Sequence, residues 1–303
     1  MKNTWYIIIN PTSGNNAAKK KWKKIVTYLD FYNISYFATF SQYKDHEGEL
    51  VNDAIQKGYR KFISVGGDGT LHHIVNGIMV QKIVEVAELK VAVIPIGTGN
   101  DWVKTYRIPK NIRNAVSIIA KENSIKQDIG HLQLLETTQS VYFNNVAGIG
   151  FDGFVVNNIT KFKKYGVMAY LLGTITSFMR YKKTILTIKF NTQEISTQSL
   201  LTIVGICKYS GGGMQLTSDV NTRDGLFDIS IAKDFKFLNM LLNIFKFFNG
   251  SIVKHKEVEI YKTAQIQITA KDEKTFIQAD GELIGRGGFQ ATVIPKAICF
   301  IIP

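Results

Sequence analysis

The sequence predicts an α/β domain followed by a mainly antiparallel β domain. Three observations carry this. The first third alternates compact apolar runs with helix-length segments. Near residue 126 the texture changes to short strands and Gly-rich turns. The length of 303 residues also fits two domains at about 150 residues each.

In chain order, Trp5–Ile9 is a buried strand and Asn10-Pro11-Thr12-Ser13-Gly14 is turn chemistry. A helix follows, with Lys19, Lys20, Lys23 and Lys24 on one side and Trp22, Ile25, Val26 and Leu29 on the other. Ser35–Thr39 reads as strand, Glu49–Lys57 as helix, Phe62–Val65 as strand, Leu71–Met79 as helix and Val91–Ile94 as strand. Such alternation means parallel strands covered by helices, with ligands outside the carboxyl ends of the strands. Beyond residue 126 the expected strands are Tyr142–Gly148, Ile185–Phe190, Leu200–Cys207, Leu226–Ala232, Val258–Tyr261, Gln265–Thr269 and Thr275–Gln278. Helical insertions are expected near Met168–Arg180 and Phe237–Phe248.

Composition narrows the class. Thirty-seven Lys and Arg against 24 Asp and Glu give a formal charge of +13. Such a surplus suits an anionic partner or simply a solvated basic surface. Cys207 and Cys299 form neither a disulfide framework nor a zinc spacing, as in a reducing compartment. The first apolar run is too short for a signal-peptide core. The uncharged stretch Tyr165–Met179 is too short to span a bilayer. The expectation is a cytoplasmic protein, peripherally membrane-associated. Basic clusters at Lys19–Lys24, Lys161–Lys164 and Arg180–Lys183 would meet an anionic membrane surface. Nothing matches a nucleic-acid-binding signature, so no nucleic acid is expected. A homodimer is left open.

Two loops carry the chemistry. Gly66-Gly67-Asp68-Gly69-Thr70 lies between a strand and a helix. Its glycines admit an anion to the backbone, and the helix N-terminus supplies unpaired N–H groups. Asp68 would repel phosphate without a cation, so Mg²⁺ is implied. Pro95-Ile96-Gly97-Thr98-Gly99-Asn100-Asp101 repeats the design after the next strand. A lone Gly-Gly-x-Gly is usually just a turn. Two such loops at one sheet edge, with Asn10–Gly14 as a third, point to a nucleotide site.

These segments resemble the diacylglycerol kinase catalytic domain family, in its bacterial lipid-kinase branch. The motifs are Asn10-Pro-x-Ser-Gly14, Gly66-Gly-Asp-Gly-Thr70 and Gly97-Thr-Gly-Asn-Asp101. Asn145–Asp152, Gly211-Gly-Gly213, Asp224-Gly-Leu226 and Asp280-Gly-Glu282 continue the likeness. The three-glycine loop is shared with NAD kinases and phosphofructokinases. The Gly-Thr-x-Asn-Asp and late Asp-Gly-Glu motifs are more specific to lipid kinases. The resemblance implies an N-terminal three-layer α/β sandwich of NAD kinase/diacylglycerol kinase type over 1–126, a C-terminal β-sandwich over 127–289, and a final strand, 290–303, returning to the first domain.

It also implies roles. Asp280 matches a general base acting on a lipid hydroxyl. Glu282, Asp68, Asp101 and Asp128 match acidic positions around Mg²⁺ and the transferring phosphate. Asn10, Thr39, Gly66, Gly67, Asp68, Gly69, Thr70, Leu71, His72 and Thr98 match nucleotide contacts, with Ser41 an alternative to Thr39. Asn221, Asp224 and Leu226 match a structural Mg²⁺ site, whereas spacing alone reads Asp224-Gly225 as a hairpin turn. The implied activity is an ATP-dependent lipid kinase of phospholipid metabolism, with diacylglycerol as leading acceptor. Sphingoid bases, ceramide and other lipid alcohols, a soluble acceptor such as NAD, and a non-catalytic lipid-binding relative stay as rivals. Two departures stand out: many relatives carry an acidic residue at His73, and a proline near Thr217-Ser218.

Other features have two readings. His72 and His73 are adjacent on a helix, which points to surface or capping duty rather than a metal pair. Phe235–Phe248 is rich in Phe, Leu, Met and Ile beside Lys233, Lys236 and Lys246. It would dock on a membrane, or pack in the core with its lysine stems snorkelling.

Overall fold

The computed structural model describes residues 1, 3–159, 173, 176–218, 220–233, 235–236, 239 and 242–303. Two compact units divide it: Met1–Asp128 with Lys296–Pro303, and Ile129–Pro295. The chain therefore passes between them twice.

In the first unit, strands β1 (Trp5–Ile9), β2 (Tyr36–Phe40), β3 (Lys61–Gly66) and β4 (Lys90–Pro95) pair in parallel in the order β2-β1-β3-β4. Helices α1 (Ser13–Phe31), α2 (His46–Gln56), α3 (Asp68–Val80), α4 (Asp101–Thr105) and α5 (Ile112–Lys121) connect and cover them. All of β1, WYIII, is buried, as expected of a central parallel strand. Ile7, Ile8 and Ile9 are fully enclosed, each worth roughly 2–3 kcal/mol of burial.

The strand order fixes the layers. The chain runs from β1 outward to β2, then back past β1 to β3 and on to β4. With right-handed crossovers, α1 falls on one face and α2 and α3 on the other. Accordingly α1 packs with α5, and α2 with α3. The direction reverses between β1 and β3, and that reversal is where open α/β sheets bind ligands. The residues after β1 and β3 are the first two glycine loops.

The second unit is a β-sandwich. Its strands are β5 (Ser124–Leu134, which enters from the first unit), β6 (Ser140–Phe143), β7 (Val146–Gly150), β8 (Thr184–Phe190), β9 (Gln193–Ser199), β10 (Leu201–Gly205), β11 (Tyr209–Ser210), β12 (Met214–Gln215), β13 (Phe227–Ala232), β14 (Val258–Thr263), β15 (Gln265–Ala270), β16 (Phe276–Ala279), β17 (Glu282–Arg286) and β18 (Phe289–Ile301). One antiparallel sheet runs β14-β13-β10-β7-β16-β17. In the other, β9 pairs β8, β8 pairs β15, and β15 pairs the first half of β18. Phe143 stacks on Phe227 at 5.6 Å, and Phe190 meets Tyr261 at 4.9 Å, so side chains of the two sheets interleave. Helix α6 (Phe151–Ile159) follows β7, and α7 (Ile244–Asn249) precedes a 3₁₀ turn at Ser251–Lys254. The end of β18 belongs to the first unit, where Cys299 and Phe300 pair in parallel with Lys90 and Val91 of β4.

Some expectations need correction. Tyr142–Gly148 is not one strand; it breaks at Asn144-Asn145, for a reason given below. Helices α4, α5 and α6 and strands β5, β9, β11, β12 and β17 were not expected. The anticipated helical insertion near Met168–Arg180 is helical at 173 and 176–180. Its remainder, with the Lys161–Lys164 cluster, lies outside the described residues. So do Phe237, Leu238, Met240 and Leu241. Of the rest of that greasy segment, Phe235 is buried against His255 and Phe247, whereas Leu242 and Phe245 face out. The core reading thus holds at Phe235, and docking on a membrane is a proposal for the exposed Leu242 and Phe245. Among the described residues, no helix is long and apolar enough to cross a membrane.

Candidate active site

The first unit brings its three loops together. A Cβ on Gly97 would lie 2.5 Å from the Gly67 Cα, and one on Gly14 would lie 2.2 Å from the Ile96 carbonyl oxygen. Neither position has room for a side chain, because backbone meets backbone there. Gly14, Asn15 and Asn16 all have positive φ, from 60° to 66°, so the regular part of α1 starts only after a left-handed turn. Asn10 shapes that turn by accepting from the Thr12 N–H at 3.1 Å and the Thr12 hydroxyl at 2.8 Å.

Asp68 and Asp101 are locked to each other. Asp68 Oδ2 accepts the Asp101 N–H at 3.0 Å, and Oδ1 accepts the Trp102 N–H at 3.1 Å. Asp68 therefore caps α4 from another loop. The N-cap residue proper, Asn100, spends its side chain elsewhere: Oδ1 accepts the Gly97 N–H at 3.0 Å and Nδ2 donates to the Gly97 carbonyl at 2.6 Å. Asp101 receives Lys104 at 2.7 Å. The point where a Gly99 Cβ would sit is 3.2 Å from Asp68 Oδ2 and 3.7 Å from Asp101 Oδ2. Two carboxylates thus flank one small loop residue.

The other nucleotide candidates differ in what they can offer. Gly67, the residue before α3, has no side chain to cap the helix, and the first-turn N–H groups of a helix have no intrahelical partners. Thr70 is buried, and its hydroxyl lacks a partner among the described residues. Leu71 and His72 are buried too. That corrects the surface role expected of His72 and leaves Leu71 with backbone contacts only. His73 pairs with Asp45 at 3.1 Å. Thr39 Oγ1 bonds the Tyr6 hydroxyl at 3.0 Å, and Ser41 is buried just beyond β2. Thr98 lies in the same loop as Gly97. Asp128 is fully buried and accepts the Lys296 N–H at 2.7 Å. Its neighbour Gln127 accepts from the Trp102 indole at 2.9 Å, which ties it to α4.

This set fits a magnesium nucleotide. Among the described residues no three His, Cys, Asp or Glu side chains form a metal cage. None is needed, since Mg²⁺ is commonly held by one or two carboxylates, water and the phosphates themselves. Asp68 and Asp101 are the carboxylates in place, and the Thr70 hydroxyl is a donor without a partner among the described residues.

In the second unit Asp280 has φ 51° and is nearly buried. Its Oδ1 accepts the N–H groups of Asn145 at 2.9 Å and Val146 at 3.1 Å, and Oδ2 accepts that of Asn144 at 3.1 Å. These bonds explain the break between β6 and β7: the backbone there turns its N–H groups to a carboxylate instead of a strand. Glu282 begins β17 two residues on and is half-buried.

Asp224 Oδ1 accepts the Leu226 N–H at 3.1 Å, as in a tight turn, and Asn221 Oδ1 accepts the Arg223 N–H at 3.2 Å. Lys262 Nζ stands 3.3 Å from Asp224 and 3.4 Å from the buried Asp228. Burial raises the Asp228 carboxyl, against the pull of the Ser218 hydroxyl and Lys262. A divalent ion at Asp224 would have to displace that ammonium.

Sequence reading assigned no role to Asn100, Lys104 or Lys262. Asn100 sat inside a quoted motif; the lysines carried no local signal.

The diacylglycerol kinase catalytic domain model matches residues 4–132, and the YegS C-terminal NAD kinase beta sandwich-like domain model matches 145–302. This chain belongs to the diacylglycerol kinase catalytic-domain family. Among relatives, YtlR of Bacillus subtilis is 27% identical, with 97% of this chain and 98% of that one covered. A diacylglycerol kinase of Staphylococcus haemolyticus is 28% identical, covering 92% of this chain and 82% of its own. A Bacillus anthracis crystal structure superposes with a TM-score of 0.81 at 24% identity, covering 99% of this chain and 97% of that one. That likeness speaks for the fold.

Proposed function

We propose that this family member is an ATP-dependent lipid kinase that moves the γ-phosphate of ATP to a lipid hydroxyl, diacylglycerol first among acceptors. The observation that carries the reading is the Asp68–Asp101 lock at the meeting of the glycine loops. It sets two carboxylates beside the N-terminus of α3 at the switch point of a parallel sheet.

In this reading the loop amides of Gly66–Thr70 and the Thr98 loop hold phosphate oxygens, and Asn10 shapes the neighbouring turn. Thr39 or Ser41 borders the rest of the nucleotide. Asp68 and Asp101, with Asp128 behind them, would hold Mg²⁺, which when bound offsets phosphate charge. Each carboxylate oxygen has a second lone pair, so capping α4 does not use Asp68 up. Asp280 accepts the proton of the attacking hydroxyl, and Glu282 assists it. The three N–H groups on the Asp280 carboxylate fix its direction, which is the requirement for a base that must meet a substrate oxygen. A structural Mg²⁺ at Asp224, with the Asn221 and Leu226 carbonyls, belongs to the same reading and competes with Lys262.

A lipid acceptor is favoured over a soluble one by the relatives, among them a diacylglycerol kinase of Staphylococcus haemolyticus. A cytoplasmic enzyme working peripherally on an anionic membrane fits the +13 charge.

The test is transfer from radiolabelled ATP to mixed micelles of diacylglycerol, sphingoid base or ceramide, with NAD as the soluble control. Wild type should label diacylglycerol, and Asp280→Asn should label almost nothing. Because Asp280 also closes the β6–β7 break, circular dichroism must show the variant folded. A folded wild-type protein that binds ATP yet labels no lipid sinks the proposal.

A further inference from the structure

The segment Asn145–Asp152 has no role in the chemistry above, yet it is built around one side chain. Asp152, the second residue of α6, reaches back under β7. A Cβ on Gly148 would lie 1.8 Å from Asp152 Oδ2, and one on Gly150, at φ 112°, would lie 3.1 Å from the Tyr181 hydroxyl. Gly148 makes the space this carboxylate occupies. Phe151 and Phe154 pack on the Tyr181 ring at 5.6 and 5.3 Å.

Among the described residues, one polar side chain is hydrogen-bonded to the carboxylate there. Gln278 Nε2 donates to Asp152 Oδ2 at 2.9 Å, and Gln278 Oε1 accepts the N–H of Gly281 at 2.9 Å. Gly281 follows Asp280 and has φ 82°. The β16–β17 register slips between Ile277 and Gln278; beyond the slip Gln278 pairs with Leu283 and Ala279 with Glu282, so the turn hangs on two residue pairs and on the Gln278 side chain. A glutamine amide could face either way. A carboxylate only accepts, so it selects the orientation that leaves Oε1 toward Gly281.

We infer that Asp152 is a positioning residue for Asp280, acting through Gln278 to hold the Asp280-Gly281 turn in the geometry that aims the base. This rests on the reading of Asp280 as base. Burying a carboxyl without a cation is costly. Burial pushes Asp152 up to about 6, against the Gln278 amide and backbone N–H groups, and its Oδ1 has no partner among the described residues. A group kept at such a cost for packing alone would be replaceable by leucine or asparagine.

The test uses the full chain with Asp152→Asn, Gln278→Leu and the double variant. Misplacing a catalytic group by about an ångström can cost on the order of a hundredfold. The expected kcat loss for Asp152→Asn is about ten- to a hundredfold, with the KM for ATP unchanged. In the Gln278→Leu background Asp152→Asn should add almost nothing, because both act on one link. Hydrogen exchange at the Gly281 amide should speed up in both single variants. Additive losses, or unchanged Gly281 exchange in folded Asp152→Asn, overturn the inference. If Asp280→Asn keeps full activity, the base assignment fails instead, while the exchange measurement still decides whether Asp152 holds the turn.

Discussion

The Asp68 carboxylate accepts the backbone N–H of Asp101 at 3.0 Å. The acidic residue of one glycine loop thus caps the helix that begins at the acidic residue of the next. Changing Asp68 to Asn keeps the shape but aims an amide N–H₂ at one of two backbone donors. Leaving a buried donor unpaired costs about 1–3 kcal/mol, so the variant should melt several degrees lower. It also loses a carboxylate proposed for Mg²⁺, so transfer should fall by far more than the loss of folded protein. Thermal melts beside turnover at saturating ATP check this. Full activity with a lowered melt would reduce Asp68 to a cap.

Gly97→Ala tests the convergence of the loops directly. The new methyl would sit 2.5 Å from the Gly67 Cα and 2.7 Å from Asn100 Oδ1, so backbone must move. The expected outcome is loss of ATP binding by tenfold or more in calorimetry, with the second unit unaffected in hydrogen exchange. By contrast, Gly58→Ala, where φ is 90° but nothing lies nearby, should cost stability through backbone strain alone and leave ATP affinity as it was.

The first unit was legible because its signals are local. Apolar runs such as Trp5–Ile9, turn residues such as Asn10-Pro11 and spacing by helices give a parallel sheet directly. The glycine loops mark its ligand edge. What was not legible depends on partners distant in sequence. The break at Asn144-Asn145 looks like continuous strand until Asp280, more than a hundred residues on, draws its N–H groups away. The cap on α4 comes from Asp68 and not from Asn100, which the sequence alone would nominate. His72 reads as surface from its adjacency to His73 but is buried. Lys262 is a strand lysine like any other until Asp224 and Asp228 are placed beside it.

Lys262 sets up a test of the structural cation. Burial opposes its charge, yet Asp228 and Asp224 outweigh that and raise its affinity for the proton. Lys262→Met leaves two carboxylates close together without a counter-charge. With Lys262 partly exposed, the loss should be about 1–2 kcal/mol. Millimolar Mg²⁺ should then restore the melting temperature in the variant and shift wild type much less. If EDTA lowers the wild-type melt as much as the variant's, a divalent ion already sits beside Lys262.

The outward face near α7 predicts membrane contact. Phe245 is 81% exposed and Leu242 72%, while their neighbour Phe235 is buried. Two large apolar side chains left in water have about 1.5–3 kcal/mol each to gain by burial. Phe245→Glu should cut sedimentation with anionic vesicles at least fivefold and leave the melting temperature unchanged. A wild type that ignores vesicles, or a variant that binds them equally, removes this segment from the membrane reading.

Asp152 makes a prediction of opposite sign to carboxylates paired with a cation. Its folded value of about 6 lies above the ordinary 3.8, because burial penalises the charge. A raised carboxyl contributes its stability below the unfolded value and loses it as pH climbs through the folded one. The loss, on the order of 3 kcal/mol, should appear between about pH 4 and pH 7. Asp152→Asn has no proton to lose, so the difference in unfolding free energy between wild type and variant should shift toward the variant as pH rises. Urea melts of both proteins at pH 5 and pH 7.5 measure it, and groups common to both cancel. A variant less active yet relatively more stable at pH 7.5 is what a charge held in place for alignment, at the expense of the fold, requires. A pH-independent difference would mean that the carboxylate is already stabilised by something other than Gln278.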